Sequence, residues 1–193
     1  MAEKDNLNPA KKAKETKISL KWLKKITAAV VAIMLLWGAF FIVGAGEKGV
    51  IFNVFSGVKD RTYDEGFHFK LPIFEKAYKF EVRTRVYNDD AAAASKDLQI
   101  VSTQVALNYH IDKDNVNTLF KNIGPDYEYR IIDPSIQEVV KAITAKHIAE
   151  ELITKRENVK DEIKLALKDR LGRSFLILDD LSITNFDFSP EFN

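Results

Sequence analysis

The chain has 193 residues, enough for one domain with appendages and too few for two large ones. It contains no cysteine, which excludes a disulfide scaffold, thiol catalysis and cysteine-ligated zinc. The formal charge of +1 divides unevenly, because residues 1–25 hold eight lysines and three acidic residues, net +5, and the rest is net −4. Such a basic arm, placed before an apolar segment, indicates a flank attracted to anionic lipid headgroups rather than a nucleic-acid reader.

The apolar segment runs from Ile26 to Ala45, carries no charge and has one polar side chain, Thr27. Twenty residues rising about 1.5 Å each make a helix of about 30 Å, the thickness of a hydrocarbon core. The segment predicts a transmembrane signal-anchor helix over residues 26–45, behind a basic tail over residues 1–25. Because lysine is concentrated before the helix, we expect the tail in the cytoplasm and the main domain across the bilayer.

A cleaved signal peptide is the alternative, because Val43-Gly44-Ala45 has the small-residue spacing that signal peptidase accepts. The long apolar stretch and the long basic leader favour a retained anchor. Gly44, Gly46 and Gly49 also fit the G-x-G-x-x-G fingerprint of dinucleotide-binding proteins. In that fingerprint the glycines are followed by a helix, whereas here they are followed by a β-like run. We interpret the glycines as a flexible exit from the bilayer and predict no cofactor.

Alternating apolar and polar residues predict strands in the next part of the chain. The runs cover 50–55, 67–71, 78–87 and 101–111. Asn88-Asp89-Asp90 predicts a turn that ends the third run. In the fourth run six side chains share one face: Val101, Thr103, Val105, Leu107, Tyr109 and Ile111. Such patterns are typical of an antiparallel sheet with one covered face.

Helices are predicted after these strands. Asp133-Pro134 supplies an N-cap and a first-turn proline for a helix whose apolar stripe is Ile136, Val139, Val140 and Ile143. Thr154 and Glu157 have the spacing of a capping box. The helix that they begin has a narrow seam of Val159, Ile163, Leu167 and Leu171, and Gly172 is its predicted stop. A final strand over 175–188 completes an α+β domain.

The residue types that carry chemistry are dispersed. His68, His110 and His147 are far apart in the sequence and predict no zinc site. Asp89-Asp90 and Asp179-Asp180 are adjacent pairs, whose side chains point to opposite faces on a strand and so do not form an acid–base pair. No nucleophile elbow or phosphate loop is present. We therefore predict no catalytic, cofactor-binding or metal residues, and a protein that is not an enzyme.

Eight stretches in family order resemble the prohibitin domain, the family grouped with stomatins, flotillins and bacterial modulators of membrane proteases. They cover nearly all of residues 46–193 and are GVIF (49–52), GVKD (57–60), EGFHF (65–69), SKDLQI (95–100), IGPDY (123–127), PSIQEVV (134–140), AEELITKRE (149–157) and residues 178–188. The resemblance implies two small α+β subdomains, over 46–94 and 95–193, followed by a long coiled-coil helix. The chain ends where that helix begins in relatives, and we expect the native protein to continue.

The resemblance also implies a function. It points to large homo-oligomeric rings or cages that enclose a patch of cell or organelle inner membrane and associate with a membrane-bound AAA protease. Two alternatives are a stomatin-like accessory of a membrane serine protease and a secreted binding protein released near Ala45. The run 67–74 is interpreted as a strand with a core face, with a contact of Ile73 and Phe74 to lipid headgroups as the alternative. Lys164 and Lys168 lie either on a solvated face of a helix whose seam packs on its own sheet, or against a neighbouring copy in the ring.

Overall fold

The computed structural model describes residues 20–184 and 186–188, so most of the predicted basic tail lies outside the described residues. The first part contains α1 (Leu20–Gly38), β1 (Phe40–Val43), β2 (Glu47–Asn53), β3 (Gly57–Tyr63), β4 (Gly66–Phe69) and β5 (Glu75–Glu81). The second part contains β6 (Arg85–Ala94), β7 (Ile100–Ile111), α2 (Val116–Asn122), a π-helical segment (Glu128–Ile132), α3 (Asp133–Thr144), α4 (Ala149–Thr154), α5 (Arg156–Gly172), β8 (Leu176–Ile183) and β9 (Asp187–Phe188). The predicted α+β class is confirmed.

The N-terminal apolar segment forms a helix and then a strand. α1 ends at Gly38, and β1 follows and pairs antiparallel with β4, from Phe40 opposite Phe69 to Val43 opposite Gly66. The prediction of one helix over 26–45 is therefore wrong beyond Gly38, because aromatic and β-branched residues favour the strand pairing that β4 offers. Within the described ranges, no helix is both long and apolar enough to cross a membrane.

The glycines after β1 pack tightly instead of forming a flexible exit. Gly46 has a φ of +76° in the turn between β1 and β2, a conformation that suits glycine. A Cβ at Gly49 would lie 2.9 Å from Cγ2 of Val43 and 3.0 Å from Cε2 of Phe41. Hence Gly49 lets β1 lie directly on β2, where Phe41, Val43 and Ile51 form a small buried cluster.

The first large sheet has the strand order β3-β2-β5, with both neighbours antiparallel to β2. The predicted single strand over 78–87 is interrupted, because β5 ends at Glu81 and β6 begins at Arg85 in a different sheet. Residues 82–84 connect the two sheets, ahead of the predicted subdomain boundary between residues 94 and 95. The backbone N–H of Val82 donates to the carbonyl of Gly46, so the connector is fixed to the first sheet.

The second sheet joins β6, β7 and β8, with β9 paired to the other end of β7. β6 pairs with β7 without interruption from Arg85 opposite Tyr109 to Ala94 opposite Ile100. Asp89 and Asp90 therefore lie inside a strand, and the predicted turn there is wrong. This continuous pairing with β7 outweighs the low intrinsic strand preference of Asn and Asp.

The main core lies between this second sheet and the helices α3 and α5. All six predicted core residues of β7 are buried, which confirms that strand and its inward face. The apolar stripes of both predicted helices are buried as well, and the seam of α5 is fully covered by its own domain. Val50, Phe80 and Val82 extend the same core into the first sheet, where Phe120 packs against Phe80.

Both predicted N-caps are wrong. The chain already follows a π-helix from Glu128 when α3 begins at Asp133, and no side chain caps α3. Thr154 belongs to the end of α4, where its hydroxyl donates to the carbonyl of Glu150, and α5 starts at Arg156. In both places the preceding residues are helical, so the N–H groups that a cap would satisfy are largely occupied.

Side chains cover both edges of the second sheet. Along β6, the amide of Gln137 donates to the carbonyl of Asp90, and the hydroxyl of Thr144 donates to that of Ala94. Along β8, the guanidinium of Arg156 donates to the carbonyl of Ile183 at 2.7 Å. Polar groups placed in this way satisfy edge carbonyls and oppose strand addition.

Candidate functional site

The three histidines occupy separate places. His110 Nδ1 lies 2.9 Å from the carboxylate of Asp179, and His68 Nε2 lies 2.6 Å from the carbonyl of Asp64. His147 lies between two carboxylates, 3.6 Å from Glu151 and 3.4 Å from Glu162. In residues 20–184 and 186–188, no group of three or more histidine or acidic residues could hold a metal ion.

The adjacent aspartates also have separate partners. A bulge in the pairing of β7 with β8 leaves both Asp179 and Asp180 outside the core, so they do not point to opposite faces as predicted. Asp179 contacts His110, and Asp180 accepts a hydrogen bond from Lys164 at 2.7 Å. Asp89 accepts one from Gln137 on α3. The carboxylates of Asp89, Asp179 and Asp180 therefore each have a structural partner.

A polar cleft of about 570 Å³ lies where the two sheets meet. Its lining includes Lys48, Asp64, Arg83 and His110. Lys48 forms an ion pair with Asp64, and Arg83 forms one with Glu81, so opposite charges there neutralise each other locally.

The most distinctive surface is apolar and exposed. α1 is exposed along its described length and carries large apolar side chains on all sides. We use the name apolar surface for the exposed apolar residues of α1, the outer face of β1 and β4, and the two turns at residues 54–55 and 71–74. The exposed members on α1 are Trp22, Leu23, Ile26, Val30, Val31, Ile33, Met34, Leu35, Leu36 and Trp37. Large exposed apolar patches of this kind mark membrane or protein interaction sites.

The small sheet of β1 and β4 continues the apolar surface from the end of α1. Its inner face packs on β2, and its outer face carries only Phe40, Ile42, Phe67 and Phe69, all more than 40% exposed. Phe40 stacks on Phe67 with ring centroids 4.8 Å apart. Between this face and Trp37 of α1 lies an apolar groove of about 530 Å³.

Two turns of the first sheet form an apolar cap, which we define as Val54, Phe55, Leu71, Ile73 and Phe74. These five side chains are between 45% and 81% exposed. The turns are joined, because the N–H of Val54 donates to the carbonyl of Phe74 and the rings of Phe55 and Phe74 lie 5.4 Å apart. Pro72, inside the second turn, adjoins Gly38 at the end of α1. The cap is therefore continuous with the rest of the apolar surface.

Ile73 has an unusual backbone in this cap. Its φ is +73°, a conformation that is a genuine outlier for a β-branched residue, and its side chain is 77% exposed. Strain of this kind costs about 1–3 kcal/mol and persists only where surrounding contacts enforce it. The backbone conformation of Ile73 keeps its apolar side chain on the surface. An apolar interaction surface would explain why this strained conformation is maintained.

A buried carboxylate lies directly beneath the cap. Glu75 is 4% exposed and accepts hydrogen bonds from the N–H of Leu71 at 2.9 Å and from Asn53 Nδ2 at 3.1 Å. Lys59 Nζ lies 2.6 Å from the same carboxylate. Burial by itself would raise the pKa of Glu75, but these hydrogen bonds and the lysine charge outweigh it, so the pKa lies below its ordinary value.

Sequence reasoning found part of this surface. It offered Ile73 and Phe74 as a lipid contact, but its interpretation of Phe67, Phe69 and Leu71 as a core face is wrong, because all three are exposed. It also assigned β1 to the helix and missed Phe55 and the burial of Glu75. The run Phe40-Phe41-Ile42-Val43 is aromatic and β-branched, which favours a strand and is the clue that was available. The pairing of the two turns had no such clue, because it joins residues far apart in the sequence.

Comparison with known proteins identifies the family. Residues 41–193 match the SPFH domain / Band 7 family, and the chain belongs to it. Within that family its relatives are prohibitins, so the chain is a prohibitin-type protein, as its resemblance predicted.

Three relatives illustrate the similarity. The chain is 37% identical to Prohibitin-7, mitochondrial, of Arabidopsis thaliana over 154 residues, which are 80% of this chain and 55% of the relative. It is 36% identical to Mitochondrial prohibitin complex protein 1 of Caenorhabditis elegans, over 80% of this chain and 56% of that protein. Identity to Prohibitin-1 of Saccharomyces cerevisiae is 35%, with coverages of 80% and 54%. The chain thus spans a little over half the length of these relatives.

Proposed function

We propose that this protein is a membrane-anchored, homo-oligomeric scaffold that organises a patch of membrane and the proteins within it, and that it is not an enzyme. The observation that carries the proposal is the continuous apolar surface of α1, the outer face of β1 and β4, and the apolar cap. Burying that surface in lipid removes apolar area from water, at about 25 cal/mol for each Å². Membership of the prohibitin family supports the same function.

Anchoring is proposed to begin at α1. The stretch Ile26–Gly38 is uncharged and helical, and its 13 residues rising about 1.5 Å each give about 20 Å of apolar helix. Lys21, Lys24 and Lys25 precede it, and their long side chains reach a headgroup layer while their stems lie along lipid. Because about 20 Å is less than the about 30 Å of a hydrocarbon core, we propose that the outer face of β1 and β4 and the apolar cap fill the remaining depth up to the opposite interface.

Orientation follows from the charge asymmetry. We propose the basic tail on the cytoplasmic or matrix side of a cell or organelle inner membrane, and the domain after Glu47 on the other side. Protease added to intact spheroplasts or mitoplasts should digest the domain and spare an epitope on the tail. A protein known to face the inner compartment serves as the control. Protection of the domain in sealed membranes, with digestion only after detergent, would reverse this orientation.

Assembly into rings or cages completes the proposal. One relative is named as a prohibitin complex protein, and we propose that this chain also assembles, through side-by-side contacts and a coiled-coil continuation. A membrane-bound AAA protease is the proposed client, by family likeness. Electron microscopy of detergent-extracted full-length protein should reveal closed rings, and affinity capture should recover the protease. Monodisperse monomers over a range of mild detergents would contradict the scaffold.

A further inference from the structure

The apolar cap has a polar support that the scaffold function does not by itself explain. Asn53 ends β2, Lys59 lies in β3 and Glu75 begins β5, so the contacts of Glu75 join all three strands of the first sheet. Asn53 and Glu75 are directly opposite each other in the pairing of β2 with β5. The two turns of the cap start from this point.

Each turn has its own connection to the carboxylate. For the second turn the connection is direct, because Glu75 Oε2 accepts the N–H of Leu71, and the N–H of Glu75 donates back to the carbonyl of Leu71 at 3.0 Å. For the first turn it passes through Asn53, whose Nδ2 donates to Glu75 Oε1. Asn53 Oδ1 then accepts the N–H groups of Phe55 at 2.8 Å and Ser56 at 3.2 Å.

We infer that Glu75 is the positioning residue of the apolar cap: its single buried carboxylate holds both turns so that their apolar side chains reach a lipid bilayer together. Phe55 and Ile73 are 81% and 77% exposed, so packing inside the chain does not hold them outward. In water, apolar side chains gain by turning inward. The hydrogen bonds to Glu75 oppose that movement, and the strained Ile73 shows that the turn is held. The inference rests on the proposed membrane function.

The structure makes two substitutions informative. Glu75→Gln leaves one acceptor oxygen where a carboxylate has two, and it turns an amide donor toward the donors of Asn53 or Lys59. One turn then loses its hydrogen bond to residue 75, and the other keeps only a weaker bond to a neutral acceptor, so the support of both turns is reduced. Asn53→Ala removes the connection to the first turn and leaves the bond between Glu75 and Leu71 in place. Glu81→Gln is the matched control, because Glu81 is in the same strand and its ion pairs with Arg83 and Arg85 are more exposed.

The chain lacks cysteine, so single cysteines can be labelled at chosen sites. Ser56→Cys reports the first turn, Ile73→Cys the second, Leu36→Cys reports α1, and Glu150→Cys on α4 is the distal reference. The full-length protein is labelled with a small environment-sensitive fluorophore and reconstituted into phosphatidylcholine–phosphatidylglycerol vesicles that contain nitroxide-labelled lipid. In the otherwise unaltered protein, labels at Ser56 and Ile73 should be quenched more strongly than the label at Glu150.

With Glu75→Gln, quenching at both turns should fall by about half or more, because interfacial segments lie only about 5–10 Å deep. The label at Leu36 should stay quenched and the amides of β7 protected from exchange, which excludes detachment and unfolding. With Asn53→Ala the loss of quenching should be confined to the label at Ser56. General destabilisation would reduce quenching at Ile73 as well. Unchanged quenching at both turns in Glu75→Gln would overturn the role of Glu75 and leave the membrane contact standing. Absence of quenching at both turns in the unaltered protein would overturn the membrane contact and the inference with it.

Discussion

The carboxylate of Asp179 accepts a hydrogen bond from the hydroxyl of Thr84 at 2.7 Å, although 95 positions separate the two residues. The same oxygen lies 2.9 Å from Nδ1 of His110. Thr84 belongs to the connector between the two sheets, and Asp179 sits at the bulge where β8 leaves its regular pairing with β7. The bulge therefore provides the contact that fixes the connector to the second sheet.

Removing this contact should destabilise the fold. For Asp179→Ala we expect a loss of about 1 kcal/mol in the free energy of unfolding, because two hydrogen bonds to a charged but exposed carboxylate are removed. Urea titration of the protein measures it. The neighbouring Asp180→Ala is the control, because its ion pair with Lys164 is more exposed and contributes less. Equal losses in the two variants would show that the contact with Thr84 contributes no more to the free energy of unfolding than the ion pair of Asp180 does.

Acid should weaken the support of the apolar cap. The pKa of Glu75 lies below its ordinary value of 4.5 in the folded protein, as the contacts with Lys59, Leu71 and Asn53 outweigh the effect of burial. Its stabilising contribution is then fully present above that value and is lost as pH falls through the lower folded pKa. Urea midpoints between pH 7 and pH 3 should fall more steeply for the unaltered protein than for Glu75→Gln. Parallel curves would refute this linkage.

Close packing at Gly49 gives a prediction about β1. A Cβ there would lie 2.9 Å from Val43 and 3.0 Å from Phe41, so Gly49→Ala forces β1 away from β2. We expect a cost of about 1–3 kcal/mol, typical of overpacking, together with increased hydrogen exchange in β1 and β4. Gly172→Ala is the control, since a Cβ at the end of α5 meets nothing within 4 Å. A stable Gly49→Ala variant with unchanged exchange would contradict the close approach.

The elements that sequence predicted well are those whose pattern is local. β7 alternates without error over its length, and all of its predicted inward residues are buried. The seam of α5 repeats at intervals of four residues and is buried throughout. In both cases one face covers one core, so periodicity alone determines which side chains lie inside.

The elements that sequence analysis missed depend on contacts between residues that are far apart in the chain. Phe40 to Val43 is apolar at every position, so no alternation distinguishes a strand from a membrane helix, and only the pairing with β4 decides. Thr154 and Glu157 have the right spacing for a cap, but α4 occupies the position where that cap would form. The support beneath the apolar cap joins Asn53 to Glu75, a contact that sheet register creates and that sequence spacing does not reveal.

The outer face of α5 is expected to contact a neighbouring copy in the assembled protein. Its seam is covered within the domain, so it is not available to a neighbour, and Lys164 pairs with Asp180 of its own chain. Leu165, however, is 72% exposed, and Lys168 forms no ion pair with any residue in the described part of the chain. An exposed leucine beside an unpaired cation suits a heterologous contact that is repeated at every junction of a ring.

We therefore expect the double variant Leu165→Ser, Lys168→Glu to form fewer rings while its urea midpoint stays unchanged. Each exposed pair contributes only about 0–1 kcal/mol, but closure of a ring needs every junction, so small losses accumulate. Mass photometry of the detergent-extracted protein measures the ring fraction, at low and high salt because screening weakens exposed pairs. Lys113→Glu, an exposed charge reversal in the loop after β7, is the matched control. Rings that persist unchanged in the double variant at both salt concentrations would show that this face of α5 is only solvated.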